Sequence, residues 1–506
     1  MPIRLRSRLF VSLFLLALAI TPAQAEPPAK GPEKPALDAL FANALKTWHA
    51  PGMAVVIVRD DEVFYLKGFG VREVGKNDPV TPDTIFGIGS LTKAFTATTY
   101  GLLVEEGKAS WDDHVRKHLP YFRLSDPLAD RDITIRDLLC HRTGLGRSDM
   151  LWYRAPWTPE ESVRRLAHLK PSSPFRSKYE YCNVTYLAAG LSITSVSGEP
   201  WHEFMTKRLL TQLGMKRVVF TRGDALKSDD HATPHHNGAD RKPEVMEWYP
   251  DDKQLRASGS IKTSVRDLTG WLRVQLNDGK LDGKRIVPAA VLAETHKPQI
   301  VVPVDSERAK LAGTTLNSYG LGWHVSDYRG QPLIEHGGAV DGFRARIVLL
   351  PKQKIGAVLL INVEESASLS ATGNLLLDLL LGAENKTDWN AHYLGQSDSA
   401  RKIHQARVDA RLKAKRLGTK LSHELESYAS AYDDPAYGKL KIVLEDGVLR
   451  LSWSSWKVKM QHYHFDTFEL LGEERLSDQL VVFVLKTDGA VGSLRFLGRE
   501  FKREVK

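Results

Sequence analysis

Two strand pairs far apart in the chain constrain its fold most. GMAVVIVRDDEVFYLKGFG, residues 52–70, reads as a β-hairpin, with β-branched and aromatic runs on either side of Asp60-Asp61. A second pair, ARIVLLPKQKIGAVLLI at residues 345–361, turns at 351–354. The interval between them carries helical patterns, among them TIRDLLCHRTGL and VTYLAAGLSITSVSG. The first opens with Thr134 and has Asp137 three residues on, which resembles a capping box. Early and late strands are therefore expected to share one sheet. This predicts a mixed α/β unit, its sheet covered by helices and flanked by an inserted helical region.

The character changes near residue 384. Residues 384–424 are charged and mostly helix-forming, and read as a linking helix with a solvated basic face. From Tyr428 the apolar period becomes two. Leu449, Leu451 and Trp453 alternate with Arg450 and Ser452, and Trp456, Val458 and Met460 alternate with Lys457 and Lys459. Asp446-Gly447 and Asp488-Gly489 are hairpin turn signals. About eight short strands are expected over residues 425–506, as a small antiparallel β-barrel.

Residues 1–25 are set apart. Arg4, Arg6 and Arg8 precede an apolar run at 9–20, and Ala23-Gln24-Ala25 has the form of a signal-peptidase site. The run is short for a membrane span. The expectation is a cleaved secretory signal and a periplasmic or secreted protein, with no membrane span after cleavage. The formal net charge is +9, yet residues 401–420 alone hold eight basic residues and one acidic. The basic balance is thus local, and no nucleic-acid partner is expected. Cys140 and Cys182 are read as buried thiols, with one disulfide as the alternative. His231, His235 and His236 cluster in a polar stretch that gives only weak grounds for a metal.

The chemistry starts at FGIGSLTKAFTATTYGLLVEEGK, residues 86–108. Ser90 and Lys93, three apart at a helix start, share a face. Leu91, Ala94, Phe95, Thr98 and Leu102 recur at helical spacing and face the core. Burial of Lys93 disfavours its charge, and a neutral amine can take the serine proton. The helix start favours negative charge at Ser90. Taken alone, the pair reads as a cap and a surface lysine. Two further motifs follow: Tyr181-x-Asn183 just before a helix, and His336-Gly337-Gly338 at a strand end, where glycines let a substrate approach the backbone.

In this order the three motifs resemble the serine β-lactamase and penicillin-binding protein family, most of all its class C β-lactamase-like serine hydrolases of peptidase and esterase type. TIRDLLCHRTGL, LGMKRVVF, YGLGW and FRARIVLLPKQKIGAVLLIN fit as well, and the resemblance covers roughly residues 35–383. It implies a β-lactamase-like domain over 26–383, followed by the linker 384–424. The tail, 425–506, resembles the lipocalin-like barrel attached to some peptidases of the family. The roles implied are Ser90 as acylated nucleophile and Lys93 with Tyr181 as proton relay, either being the principal base. Asn183 would hydrogen-bond the substrate amide, and the backbone N–H groups of Ser90 and Ala339 would form the oxyanion hole. Gly338 would lie on the substrate side. His336 stands where many β-lactamases have a lysine that holds the substrate carboxylate, and Arg344 is the nearby candidate to replace that charge.

These features imply an exported serine hydrolase working through an acyl-enzyme, with no metal or organic cofactor. Small-molecule or peptide-like substrates are expected, as esters or amides that include D-amino-acid amides. The alternatives are a β-lactamase and a catalytically idle penicillin-binding or ligand-sensing module. A homo-oligomer is compatible with the sequence.

Overall fold

The computed structural model describes residues 32–238, 240–250, 256–384, 387–476 and 478–504. The signal segment expected at 1–25 lies outside these. The first helix, α1 (Lys34–Trp48), precedes the hairpin β1 (Gly52–Arg59) and β2 (Glu62–Gly70). The rest of the main sheet comes from the far side of the helical interval. Its strands are β3 (Ile300–Val301), β4 (Asn317–Tyr319), β5 (His324–Tyr328), β6 (Gln331–Val340), β7 (Phe343–Leu350) and β8 (Ile355–Ile361). The spatial order is β2-β1-β8-β7-β6-β5-β4-β3, with every pairing antiparallel. The two ends meet where β1 pairs β8, from Met53 opposite Ile361 to Arg59 opposite Ile355.

The period of two along β1 explains why this sheet is covered on both faces. Met53, Val55 and Ile57 join one buried cluster with Leu37, Phe41 and Trp48 of α1. Ala54, Val56 and Val58 join the other, with Phe95 and Trp271. The second face is covered by α4 (Val265–Leu276), on which α2 (Thr92–Glu105) stacks through Phe95 and Trp271, and α3 (Asn183–Ser197) packs against α2. On the first face, α5 (Ser366–Leu380) lies beside α1. The capping box at Thr134 and Asp137 forms as the spacing predicts, at the start of the short helix Ile135–Leu139.

The charged linker is the helix α6 (Trp389–Ala414). Its first turns belong to the first unit: Trp389 is buried, its Nε1 donates to Asp378 Oδ2 at 2.8 Å, and Tyr393 and Leu394 pack on the α1–α5 cluster. Eight further strands, β9 (Ser430–Asp434) to β16 (Arg499–Arg503), close into an antiparallel barrel, with Tyr432 opposite Arg503 at the seam. Closure leaves no free sheet edge. Leu449, Leu451, Trp453, Trp456, Val458 and Met460 are buried while Lys457 and Lys459 are exposed, as the alternation requires.

The barrel docks on the inserted helical region. Arg165 Nη1 donates to Ala436 O at 3.2 Å, Arg499 Nη2 to His168 O at 3.2 Å, and the Tyr153 and Trp456 rings sit 6.0 Å apart. Cys140 and Cys182 are free, buried thiols, so the disulfide alternative does not hold. The three histidines of the 231–236 stretch have separate partners: His231 reaches Ser228 O, His235 reaches Asn362 O, and His236 reaches Glu244. Among the described residues, no helix is long and apolar enough to cross a membrane.

Candidate active site

Ser90 sits on a tight turn rather than capping a helix. The strand Phe86–Gly87 pairs with Lys262–Thr263, Gly89 takes φ +51°, and a 3-10 turn, Gly89–Leu91, leads into α2. A Cβ on Gly89 would lie 2.7 Å from Ala339 N, so only glycine lets this turn lie flat against β6. α2 is buried nearly all round. Leu91, Ala94, Phe95, Thr98 and Leu102 are buried as their spacing implies, and so are Thr92, Lys93, Thr96 and Thr99. Phe95 stacks on Trp271 with ring centroids 4.0 Å apart.

Lys93 is 0 % exposed, the opposite of a surface lysine. Burial drives its amine well below the ordinary lysine range. Its Nζ donates to Asn183 Oδ1 at 2.8 Å and to Ser258 O at 2.9 Å, and stands 3.1 Å from Ser90 Oγ. A neutral amine has two hydrogens and one lone pair. Both hydrogens go to partners that only accept. Were the amine neutral, its lone pair would be left for the Ser90 hydroxyl. Tyr181 Oη donates to Ser90 Oγ at 2.7 Å, and burial raises its phenol, which stays protonated.

The amide of Asn183 is oriented by a residue the motifs did not indicate. Asn183 Nδ2 donates to Asp149 Oδ1 at 3.0 Å, which aims Oδ1 at Lys93. Asp149 also accepts from Trp152 Nε1 at 2.8 Å and from Arg147 Nε at 2.9 Å. It lies in the loop 146–157, which has no periodicity to mark it. His141 is the second such residue. It comes from TIRDLLCHRTGL, and its Nδ1 accepts the Cys182 backbone N–H at 3.2 Å, between Tyr181 and Asn183. Its ring lies 4.4 Å from that of Tyr181, which fixes the Tyr181-x-Asn183 turn.

The His336-Gly337-Gly338 strand end is β6. Residues 331–335 of β6 pair with β5, while the β7 pairing continues to Val340. From His336 onward the other edge of β6 faces a cleft of about 1020 Å³ lined by Ser90, Tyr181, Asn183, Gly337 and Ala339. Gly337 and Ala339 are exposed there, and a Cβ on Gly337 would meet nothing within 4 Å. Gly338 also lines the cleft, but its Cα faces inward. A Cβ on it would come within 2.1 Å of Ile88 O, so its glycine serves packing against the turn that carries Ser90.

His336 is buried in the cleft wall. It is 3 % exposed, Tyr319 Oη is 2.9 Å from Nε2, and Nδ1 is 2.6 Å from Gly337 O. Burial, first of all, pushes it down to about 3, so it carries no charge near neutrality. Nδ1–H then donates to the carbonyl and Nε2 accepts from Tyr319. Arg344 is no ready substitute: Nε donates to Ser366 Oγ at 2.9 Å, and Nη1 to Val340 O at 3.1 Å and Phe343 O at 2.8 Å.

Comparison with known proteins gives the family. The chain belongs to the β-lactamase family: the Beta-lactamase family model matches residues 37–381, and a model described only as a domain of unknown function matches 414–505. The unguisins hydrolase ungD of Aspergillus violaceofuscus is 29 % identical over 442 residues, covering 80 % of this chain and 76 % of that protein. The octameric penicillin-binding protein homologue of Pyrococcus abyssi shares the fold with TM-score 0.60 and 23 % identity, over 92 % of this chain and 99 % of that one. The D-amino acid amidase of Ochrobactrum anthropi SV3 has TM-score 0.56 and 22 % identity, over 69 % and 98 %.

Proposed function

We propose that this β-lactamase-family chain is an exported serine hydrolase that cleaves esters or peptide-like amides, D-amino-acid amides among them, through an acyl-enzyme. The observation that carries the reading is the arrangement at Ser90: a fully buried amine, its pKa lowered by burial, on one side and a protonated phenol on the other. Ser90 Oγ attacks the carbonyl carbon while its proton passes to Lys93. The oxyanion faces the backbone N–H groups of Ser90 and Ala339. Tyr181 supplies the proton that the departing amine or alkoxide takes, and is reprotonated from Lys93. Water then reverses the sequence and releases the acid. Lys93 is the principal base in this scheme, because the raised phenol of Tyr181 is a donor at rest.

The relatives support the class of reaction by their names: one is a hydrolase and another a D-amino acid amidase. Export rests on residues 1–25 and places the protein in the periplasm or outside the cell. A homo-oligomer is the proposed assembly state, by analogy with the octameric relative. β-Lactam hydrolysis is the second reading. The neutral His336 weighs against it, since a β-lactam carboxylate gains about 1.5–3 kcal/mol from a charged partner. Turnover of a p-nitrophenyl ester and a chromogenic cephalosporin by the chain and by Ser90→Ala tests the proposal. Ester turnover that needs Ser90 and exceeds cephalosporin turnover supports it; cephalosporin preference supports the second reading.

A further inference from the structure

One residue up β6 from His336, the cleft wall turns strongly ionic. Glu335 is 7 % exposed and is held between two arginines. Arg346 gives it Nε at 3.2 Å and Nη2 at 2.8 Å. The remaining hydrogens of Arg346 go to Asn374 Oδ1 and to the carbonyls of Leu369 and Ser370. All five N–H groups of Arg346 are spent, so it is a structural cation.

Arg308, on the short helix Ser306–Ala312, differs. Its Nη2 donates to Glu335 Oε1 at 2.6 Å and to Ser326 Oγ at 3.4 Å. Among the described residues, its Nε and Nη1 hydrogens have no hydrogen-bond partner, and its side chain is 34 % exposed in the lining of the Ser90 cleft. Two arginines against one carboxylate leave one positive charge. Burial alone would raise the Glu335 carboxyl, but Arg346 and Arg308 outweigh it and hold it at about 2, so that carboxylate stays ionised.

A second, independent observation lies alongside. Asn317 is paired across the sheet with Ser326, lines the same cleft and is 8 % exposed. Its Oδ1 is buried without a hydrogen-bond partner among the described residues. An orphaned amide oxygen beside an underused guanidinium is costly unless something fills both.

We infer that Arg308 and Asn317 form an anion-and-amide subsite of this cleft, which selects peptide-like substrates carrying a carboxylate well away from the scissile carbonyl. This rests on the serine hydrolase reading. Arg308 holds the carboxylate with charge-assisted hydrogen bonds from Nε and Nη1, and Asn317 Oδ1 accepts an N–H of the substrate. Glu335 and Arg346 fix the direction of Arg308. Ala339 is four residues along β6 from Glu335, about 13 Å at strand rise, so the anchored group is remote from the acyl carbon.

The test uses the full chain and matched p-nitrophenyl esters whose acyl chains, in a graded series of lengths, end in a methyl or a carboxylate. At one length range the carboxylate ester should show the lower KM. In Arg308→Met the ratio of kcat/KM, carboxylate over methyl, should fall roughly 10- to 100-fold, the worth of a charge-assisted contact. Arg308→Lys should restore part of it. In the natural chain the preference should weaken with salt, because the cation is partly exposed, which needs no variant. No carboxylate preference at any length, or equal loss for both esters in Arg308→Met, overturns the subsite. If the natural chain hydrolyses neither ester, the hydrolase reading fails. Calorimetric titration with the corresponding free diacids then decides the subsite: binding lost in Arg308→Met upholds it, and no binding overturns it.

Discussion

Asp149 Oδ1 accepts from Asn183 Nδ2 at 3.0 Å, and through that one contact it sets which end of the Asn183 amide meets Lys93. In the neutral amine, the lysine lone pair would thereby be left for Ser90. A carboxylate outside the three motifs thus orients the amide that meets Lys93.

Asp149→Asn keeps the volume but can turn its own NH2 towards Asn183. The expected loss in kcat for a neutral ester is about 10-fold or more. The Asp149 charge also favours protonated Lys93. Its removal should lower the lysine further and move the acid limb of the kcat/KM profile to lower pH. A loss of rate with an unmoved limb would give Asp149 a purely structural role.

Lys93→Ala and Tyr181→Phe should each reduce kcat by about 10²-fold or more, as for general acid–base groups. The double variant should lose much less than the product of the two, because they act on one proton path. Full multiplicativity in steady-state kinetics would show independent roles.

The pH profile for a neutral ester should fall on the acid side as Lys93 gains its proton, since the amine works only when neutral. His336, down at about 3, contributes nothing between about pH 5.5 and 8. The ratio of ester to cephalosporin turnover should stay flat over that range. A cephalosporin rate that climbs relative to the ester towards pH 6 would mean that His336 charges there.

Removal of residues 425–506 should leave a folded β-lactamase-family domain with altered turnover. The barrel touches Arg154, Arg165 and His168 and packs Trp456 against Tyr153, on the same segment that holds Asp149. Arg475 also reaches Asp341 at 3.2 Å in the cleft wall. Thermal unfolding and ester kinetics of the truncated chain check this. An unfolded fragment would make the barrel integral to the first domain.

Much of this was legible before the structure, for physical reasons. The β-branched runs at 52–70 and 345–361 marked strands, and Ser90, Lys93, Tyr181 and Asn183 were marked by the resemblance of their motifs, taken in order, to the family. Asp149 was not, because a loop side chain has no period to betray it. The all-round burial of α2 was also hidden: its threonines read as polar, yet Thr96 and Thr99 satisfy themselves on the carbonyls of Ala257 and Phe95. His336 was visible as a residue, but its loss of charge comes from neighbours far along the chain. Arg344 was visible as a cation, but not its commitment to Ser366, Val340 and Phe343.

The central claim is that Ser90 is the acylated nucleophile. Intact-mass analysis after treatment with a fluorophosphonate probe, followed by peptide mapping, tests it most directly. One adduct on Ser90, absent in Ser90→Ala and much slowed in Lys93→Ala, is the result expected. An active enzyme that takes no label, or a label on another serine, would contradict it.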